Sequence, residues 1–384
     1  MRDNQLKLTT IHLKGFKSIN GNGQTIPIGQ ITILLGANGA GKSNLVSFFQ
    51  MLNFMMTGAL QTYIGKSGYA DSLLHYGSKK TTRLESEITF SDNTNIVKYN
   101  FTLSHAAGDT LIFTEETLCW KRHDNPKPFK ISLDTGSKES GLYEHSQKPD
   151  AKVAQIIFNL LKNCRVFQFH DTSKEAKIRN SGYINDCDFL RSDAGNLAAF
   201  LYAIKNKDDG ERYYNRIVRY IKLAMPQFND FVLNPSARNE NYIMLNWLEN
   251  DSDYLFGSHQ ISDGSLRFMA LATLLLQPPS SLPSVIVLDE PELGLHPSAI
   301  SLLAGMVNTA SQNCQIIIAS QSTRLIDEFD SNHIVIVERD KEEKSSRYKK
   351  LEINSLQNWL KQYSMSELWE KNIIGGKPGD DSPD

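Results

Sequence analysis

Hydrophobic positions along the chain follow two periods. In "LKLTTIHLKGF" apolar residues alternate with polar ones, which predicts a half-buried strand, and "ITILLG" is a short unbroken apolar run ending in glycine, which predicts a buried strand. "KSNLVSFFQMLNFMM" then spaces its apolar residues as a helix does. From about Leu84 to Asp134, the alternating segments "SEITF", "NIVKYNFTLSH", "TLIFTEETLCWKR" and "FKISL" are split by Asp, Asn, Gly and Pro, the pattern of an antiparallel meander. Helical spacing takes over from Ala151 to Met225 in "AKVAQIIFNLLKN", "GNLAAFLYAIKN" and "ERYYNRIVRYIKLAM". "NYIMLNWLE" predicts one more strand, and "SLRFMALATLLLQ" a helix stopped by Pro278 and Pro279. The strands "SVIVLDE", "CQIIIAS" and "HIVIVER", with the helix "SAISLLAGMVNTA" between the first two, predict an α/β core with buried parallel strands. These textures divide the chain into an N-terminal lobe with the meander (1–150), a helical insert (151–257), a C-terminal lobe (258–374) and a tail expected to be disordered (375–384).

Composition narrows the class. Of 384 residues, 40% are hydrophobic and 22% charged, which suits one large or two ordinary domains with a sizeable core. A net charge of −2 supplies no global pull toward nucleic acid or an anionic membrane. Cys119, Cys164, Cys187 and Cys314 include no CxxC pair, so neither a zinc site nor a disulfide framework is indicated, and a reduced, cytoplasmic setting is expected. "MRDNQLKLTT" has no apolar signal core and no stretch approaches 18 apolar residues, so no membrane partner is expected.

The candidate chemistry starts at "GANGAGKSN", the residues Gly36, Ala37, Asn38, Gly39, Ala40, Gly41, Lys42, Ser43 and Asn44. Gly36, Gly41, Lys42 and Ser43 match G-x-x-x-x-G-K-[ST], placed between a strand and a helix. Small residues let backbone N–H groups curl round phosphates, Lys42 is expected to reach the β- and γ-phosphates, and the Ser43 hydroxyl to ligate Mg²⁺. The helix that follows aims its positive end at the same anion. A second element, "SVIVLDEPELGLHP", puts Asp289 and Glu290 at the end of an apolar strand, where an open parallel sheet faces its ligand. Asp289 is expected to hold Mg²⁺ through its water shell, and Glu290 to orient and polarise the attacking water. A third, "ISDGSLRFMA", places Ser262, Asp263, Gly264 and Ser265 at a helix start, which is either an anion site or an ordinary capped helix.

In this order, phosphate loop, long insert, Ser-x-Gly helix start, Asp-Glu strand end and "IIIASQS", the chain resembles the ABC-type ATPases. The resemblance implies ATP and Mg²⁺ as ligands, and a head-to-tail homodimer in which the Ser-x-Gly signature of one subunit caps the γ-phosphate held by the other. It places Gln321 in the switch position, where most ABC proteins have histidine. "IHLKGFKSIN" resembles the opening strand of the RecF/SMC-like branch, and implies that Lys17 reaches nucleotide phosphate or the dimer interface; a solvated strand-end lysine is the alternative. About 218 residues separate Ser43 from Ser262, with no sustained heptads, so no long coiled-coil arms are expected. "LRSDAGNLAAFLY", "SDGSLRFMALATLLLQPP", "DEPELGLHPSAISLLAGM", "ASQS" and "YSMSELWEKNIIGGKP" together resemble bacterial AAA-family ATPases of the RecF-like, AAA_21 type. That resemblance implies a separate effector protein as partner and a place in anti-phage defence. The alternative is a slow ATP-dependent dimer clamp on DNA or RNA.

Four further features stay open at this level. Gln168 and His170 in "VFQFHDTS" (Val166 to Ser173) are candidates for a Q-loop of the ABC type, or part of a core strand. His296 stands where such proteins carry a D-loop aspartate, or it caps the next helix before Pro297. "YGSKKTTR", "CWKRHDNPKPFK" and "RDKEEKSSRYKK" are solvated hairpins, or, if two share a face, a track for a nucleic-acid backbone. Leu368 and Trp369 in "SELWEKNIIGG" form a packed helix or a docking patch.

Overall fold

The alternation over residues 7–14 becomes β1 (Lys7–Lys14), with Leu8, Ile11 and Leu13 buried. The computed structural model describes residues 5–351 and 353–376. β1 pairs antiparallel with β2 (Gln24–Pro27), and the apolar run after it is β3 (Ile31–Leu35), buried at every position. The phosphate-loop sequence leads into α1 (Lys42–Met55), followed by α2 (Leu60–Lys66) and α3 (Tyr69–Leu73). The expected meander is β4 (Arg83–Ser91), β5 (Asn95–Ala106), β6 (Thr110–Arg122) and β7 (Asn125–Ser132), and it recruits the N-terminus into one sheet of order β2-β1-β4-β5-β6-β7. α1 lies against this sheet through an aromatic seam: Phe48 stacks on Phe101 at 6.4 Å and meets Phe16 edge-on at 6.0 Å. Each such ring, fully buried, stabilises the unit by roughly 2–3 kcal/mol. α4 (Leu142–Ser146), α5 (Lys152–Lys162) and β8 (Cys164–Phe167) complete this stretch.

The chain folds as two units, Met1–Arg165 with the C-terminal segment from Asp330, and Val166–Phe329. In the second, β9 (Gly182–Tyr183), α6 (Leu197–Asn206), α7 (Glu211–Ala224), β10 (Phe228–Val232), β11 (Pro235–Ser236), β12 (Asn239–Ile243), β13 (Asn246–Glu249) and β14 (Phe256–Gly257) build two small sheets, β10-β13-β14 and β11-β12-β9. The single strand expected over "NYIMLNWLE" is therefore two strands in different sheets. The side-chain alternation continues through the break, with Ile243, Leu245 and Trp247 all buried, so periodicity carries no sign of the change of partner. α8 (Asp263–Leu276), β15 (Val285–Asp289), α9 (Pro297–Ala310), β16 (Gln315–Ser320) and α10 (Thr323–Ile326) follow. β15 and β16 are parallel, in register from Val285 opposite Gln315 to Asp289 opposite Ala319, so Asp289 stands at the C-terminal end of its strand.

β17 (Ile334–Arg339) and β18 (Ser346–Lys350) return to the first unit, where β17 runs parallel to β3 and antiparallel to β18. α11 (Ile353–Leu360) and α12 (Met365–Glu370) close the described chain. Leu368 is fully buried, so α12 is a packed helix. Of the tail expected over 375–384, residues 377–384 lie outside the described residues. Among the described residues the longest helices have 14 residues, so there are no coiled-coil arms, and no helix is long and apolar enough to cross a membrane.

Candidate active site

In the first unit the loop of residues 36–44 wraps the start of α1. No side chain caps that helix at Gly41, so its N-terminus presents the positive end of the helix dipole to the loop. Lys42, 5% exposed, folds its ammonium onto the loop's own carbonyls, Gly36 O at 2.6 Å and Ala37 O at 3.0 Å. The two outer glycines are needed by contact. A Cβ on Gly36 would stand 2.1 Å from the Val337 carbonyl of β17, and one on Gly41, whose φ is +115°, would stand 2.1 Å from Ser346 Oγ of β18. Ser346 also donates to Ala40 O at 2.5 Å, and the Tyr348 hydroxyl donates to Gly41 O at 2.8 Å. β18 thus braces the loop from a distance of some 300 residues in sequence, and nothing in the motif announces it. Asn38, Gly39 and Ser43 remain exposed, and the Asn44 amide donates to Ser18 Oγ.

Lys17 is not a solvated strand-end lysine. Its ammonium donates to Ser47 Oγ on α1 at 2.8 Å, its φ is +49°, and burial pushes its pKa down. Lys17 and Ser18 line a cavity of about 300 Å³ with His75, Tyr76 and Arg339. Arg339 Nη2 donates to the Tyr76 hydroxyl at 3.0 Å, and Lys80 lies 4.7 Å from the centre of the same ring. In sequence "YGSKKTTR" stands out only for its charge; the half-exposed Tyr76 ring is what this geometry adds.

In the second unit, the strand expected over Val166–Ser173 ends at Phe167, and Gln168 and His170 lie beyond it. The backbone turns off there because Gln168 N donates to Ser192 O. Gln168 Nε2 donates to Asp289 Oδ2 at 2.8 Å, and His170 Nε2 pairs with Asp289 O at 2.9 Å. Gln168 and His170 thus meet the Asp-Glu pair at the end of β15. Glu290 follows with φ +42°, a left-handed conformation that costs a non-glycine residue of order 1 kcal/mol and is held here by its N–H donating to Ala319 O at 2.8 Å. Gln321 is the first residue after β16, half-buried. Arg267 of α8, which sequence reading passed over, donates to the carbonyls of Phe169 (3.0 Å), His170 (2.9 Å) and Leu293 (3.1 Å).

The Ser-x-Gly helix start is organised by a second overlooked arginine. Ser262 caps α8, its Oγ accepting from Ser265 N at 3.2 Å and donating to Ser265 Oγ at 2.8 Å. Arg179, 6% exposed, donates to Thr172 O (2.7 Å), Ser258 O (2.5 Å), Ile261 O (3.0 Å) and Asp263 Oδ1 (2.6 Å). That hydrogen bond holds the Asp263 carboxyl below the usual carboxylate range. Gly264 is required by packing, since a Cβ would stand 2.3 Å from Gly294 O. His296 caps α9, its Nδ1 accepting from Ser298 N at 3.3 Å, as the capping alternative has it. A lone arginine in "KEAKIRNSGY" carries no motif, and only the fold shows what Arg179 gathers.

The donor chemistry suits Mg²⁺. The Ser43 hydroxyl in the first unit, and in the second the Asp289 carboxylate, to which Gln168 donates, are each hard oxygen donors of the kind this ion takes. Among the described residues no cluster of three His, Cys, Asp or Glu forms a dedicated metal cage.

Solved structures with this fold include SMC heads. The head bound to the C-winged helix domain of ScpA aligns with TM-score 0.56 at 13% identity, covering 92% of this chain and 99% of that one. The Pyrococcus furiosus Smc head with an extended coiled coil, bound to the C-terminal domain of ScpA, gives 0.57 at 13% identity, over 93% and 99%. The Pyrococcus yayanosii head with a coiled coil and joint gives 0.52 at 12%, over 93% and 99%. Comparison with curated protein sequences found no match. The family profile described as "AAA domain, putative AbiEii toxin, Type IV TA system" (AAA_21) matches residues 31–327, from β3 through the Asp-Glu strand end to α10. The chain has the fold of the SMC heads and belongs to that AAA_21 family.

Proposed function

We propose that this protein hydrolyses ATP and uses the cycle to control a separate effector protein, as part of anti-phage defence. The observation that carries the catalytic half is Lys42, buried with its ammonium on the loop carbonyls under an uncapped helix N-terminus. A preformed cation at a helix N-terminus makes an anion site, and the β- and γ-phosphates of ATP would take over the bonds that the loop carbonyls now satisfy. Ser43 and Asp289 would hold Mg²⁺, which neutralises charge on the phosphates. Glu290 accepts the proton of the attacking water, and Gln321 reads the γ-phosphate through its amide. The cavity beside Lys17, His75 and Tyr76 has the aromatic and cationic lining to take base and ribose.

Assembly follows from the signature. In this reading two copies meet head to tail, and Ser262, Asp263, Gly264 and Ser265 of each cap the nucleotide of the other. Closure biases an effector only as far as that effector binds the open and closed forms differently. The family description, which names a toxin and a toxin–antitoxin system, and the ScpA domains seated on the Smc heads both support a protein partner for such an ATPase. The test is purification from the native host with trapped ATP and again without nucleotide: a partner recovered in one state only is expected. No partner in either state, together with DNA-stimulated hydrolysis, would overturn the effector and favour a slow clamp on DNA or RNA. Gln321, a neutral amide where most ABC-type proteins carry histidine, is the observation that favours slow turnover.

A further inference from the structure

Glu292, two residues beyond Glu290, has no part in the mechanism above. Its carboxyl is largely buried, and one oxygen, Oε2, has no hydrogen-bond partner. The other, Oε1, accepts from the Ser320 hydroxyl at 2.5 Å. Ser320 is fully buried at the end of β16, and its Oγ also accepts from Ser322 N at 3.0 Å, so that one hydroxyl spans Gln321. On the other side, Glu290 N donates to Ala319 O at 2.8 Å, Leu293 N to Glu290 O at 3.1 Å, and Leu295 N to Glu292 O at 3.0 Å. The turn carrying Glu290 in its left-handed conformation is therefore tied to the segment carrying Gln321 at two points, one backbone bond and one side-chain bond. Burying a carboxyl costs free energy, which the bond from Ser320 and the backbone N–H groups of Glu292 and Gln321 offset only in part.

We propose that Glu292 is a positioning residue: through Ser320 it holds Glu290 and Gln321 in one frame, so that the water-activating carboxylate and the γ-phosphate sensor keep a fixed spacing. This inference rests on the hydrolytic role proposed for Glu290. Burial raises the Glu292 pKa, and the neighbouring Glu290 raises it further. A displacement of about 1 Å at a catalytic group costs up to roughly a hundredfold in rate while leaving substrate binding largely intact.

The experiment is steady-state ATP hydrolysis with the full-length chain and Mg²⁺, comparing the parent, Glu292→Ala, Glu292→Gln, Ser320→Ala and Glu290→Gln, with binding of a fluorescent ATP analogue as the check on folding. Glu292→Ala is expected to lower kcat by between roughly tenfold and a hundredfold with KM within about twofold. Glu292→Gln, whose amide oxygen still accepts from Ser320, is expected to recover most of that loss, and Ser320→Ala with Glu292→Ala to be no worse than either alone. If the parent hydrolyses ATP and Glu292→Ala matches it, the positioning role is wrong while the ATPase stands. A Gln variant as inactive as Ala would make Glu292 a direct participant and overturn the proposal. Should Glu292→Ala fail to bind nucleotide, Ser320→Ala decides alone: a rate equal to the parent refutes the link. A parent without turnover overturns both this inference and the hydrolytic reading.

Discussion

Arg179→Met would remove the guanidinium that gathers the residues around the signature helix while keeping most of the side-chain volume. Three buried or half-buried carbonyls, those of Thr172, Ser258 and Ile261, lose their donor. An orphaned buried acceptor costs roughly 1–3 kcal/mol. The ion pair with Asp263 adds little, because Asp263 is 63% exposed and the interaction is screened. Allowing for partial entry of water, the loss is about 3–5 kcal/mol, comparable to breaking other buried charged networks. In this unit of the chain that corresponds to a melting temperature lower by about 10 °C. The damage should be concentrated where the bonds are, so hydrogen exchange of the amides of Ser265 and Leu266 is expected to rise before the rest of α8. Arg179→Lys keeps the charge but not the planar fork, and is expected to recover less than half of the loss. Differential scanning calorimetry and exchange mass spectrometry read the two quantities. A methionine variant that melts within about 2 °C of the parent, with unchanged exchange at the helix start, would refute the reasoning.

Glu290→Gln is expected to lower turnover by about a hundredfold or more with ATP still bound, measured by phosphate release and nucleotide retention; parental turnover would exclude Glu290 as the base. On that background Ser262→Arg is expected to block ATP-dependent dimerisation in light scattering without loss of nucleotide binding, and a chain that stays monomeric with ATP even without the substitution would defeat the sandwich. Gly41→Ala forces a Cβ to 2.1 Å from Ser346 Oγ at φ +115°, so ATP affinity by titration calorimetry is expected to fall by roughly tenfold or more, and an unchanged affinity would contradict the bracing by β18. Because the folded pKa of Glu292 is raised above the ordinary 4.5, its contribution to stability is present below that value and is lost as pH rises through the folded pKa. Glu292→Gln should therefore gain in denaturant midpoint relative to the parent between about pH 4 and pH 7, and a gain in the opposite direction would show the carboxylate to be favourably ionised.

What local sequence could carry, it carried. The phosphate loop, the Asp-Glu strand end and the capped signature helix are each encoded within a few residues, because a glycine turn, an apolar run and an N-cap are short-range physics. The meander and the strands of the α/β core were legible for the same reason, from alternation and from unbroken apolar runs. Everything that depends on residues far apart was not. Ser346 and Tyr348 brace the loop at Ala40 and Gly41 from a strand that reads, in sequence, as part of a charged hairpin. Arg179 and Arg267 look like any surface arginine until the fold buries one and sets the carbonyls of Phe169, His170 and Leu293 around the other. By pattern Gln168 could lie in a strand or in a loop; the end of the strand at Phe167 places it in the loop, where it bonds Asp289. The split of "NYIMLNWLE" between two sheets was invisible because side-chain alternation records which face is buried, not which strand is the partner. Sequence determined where the glycine loop, the Asp-Glu strand end and the capped helix lie; tertiary structure decided which distant carbonyls, hydroxyls and arginines hold them in place, since hydrogen-bond partners across the fold have no period in the chain.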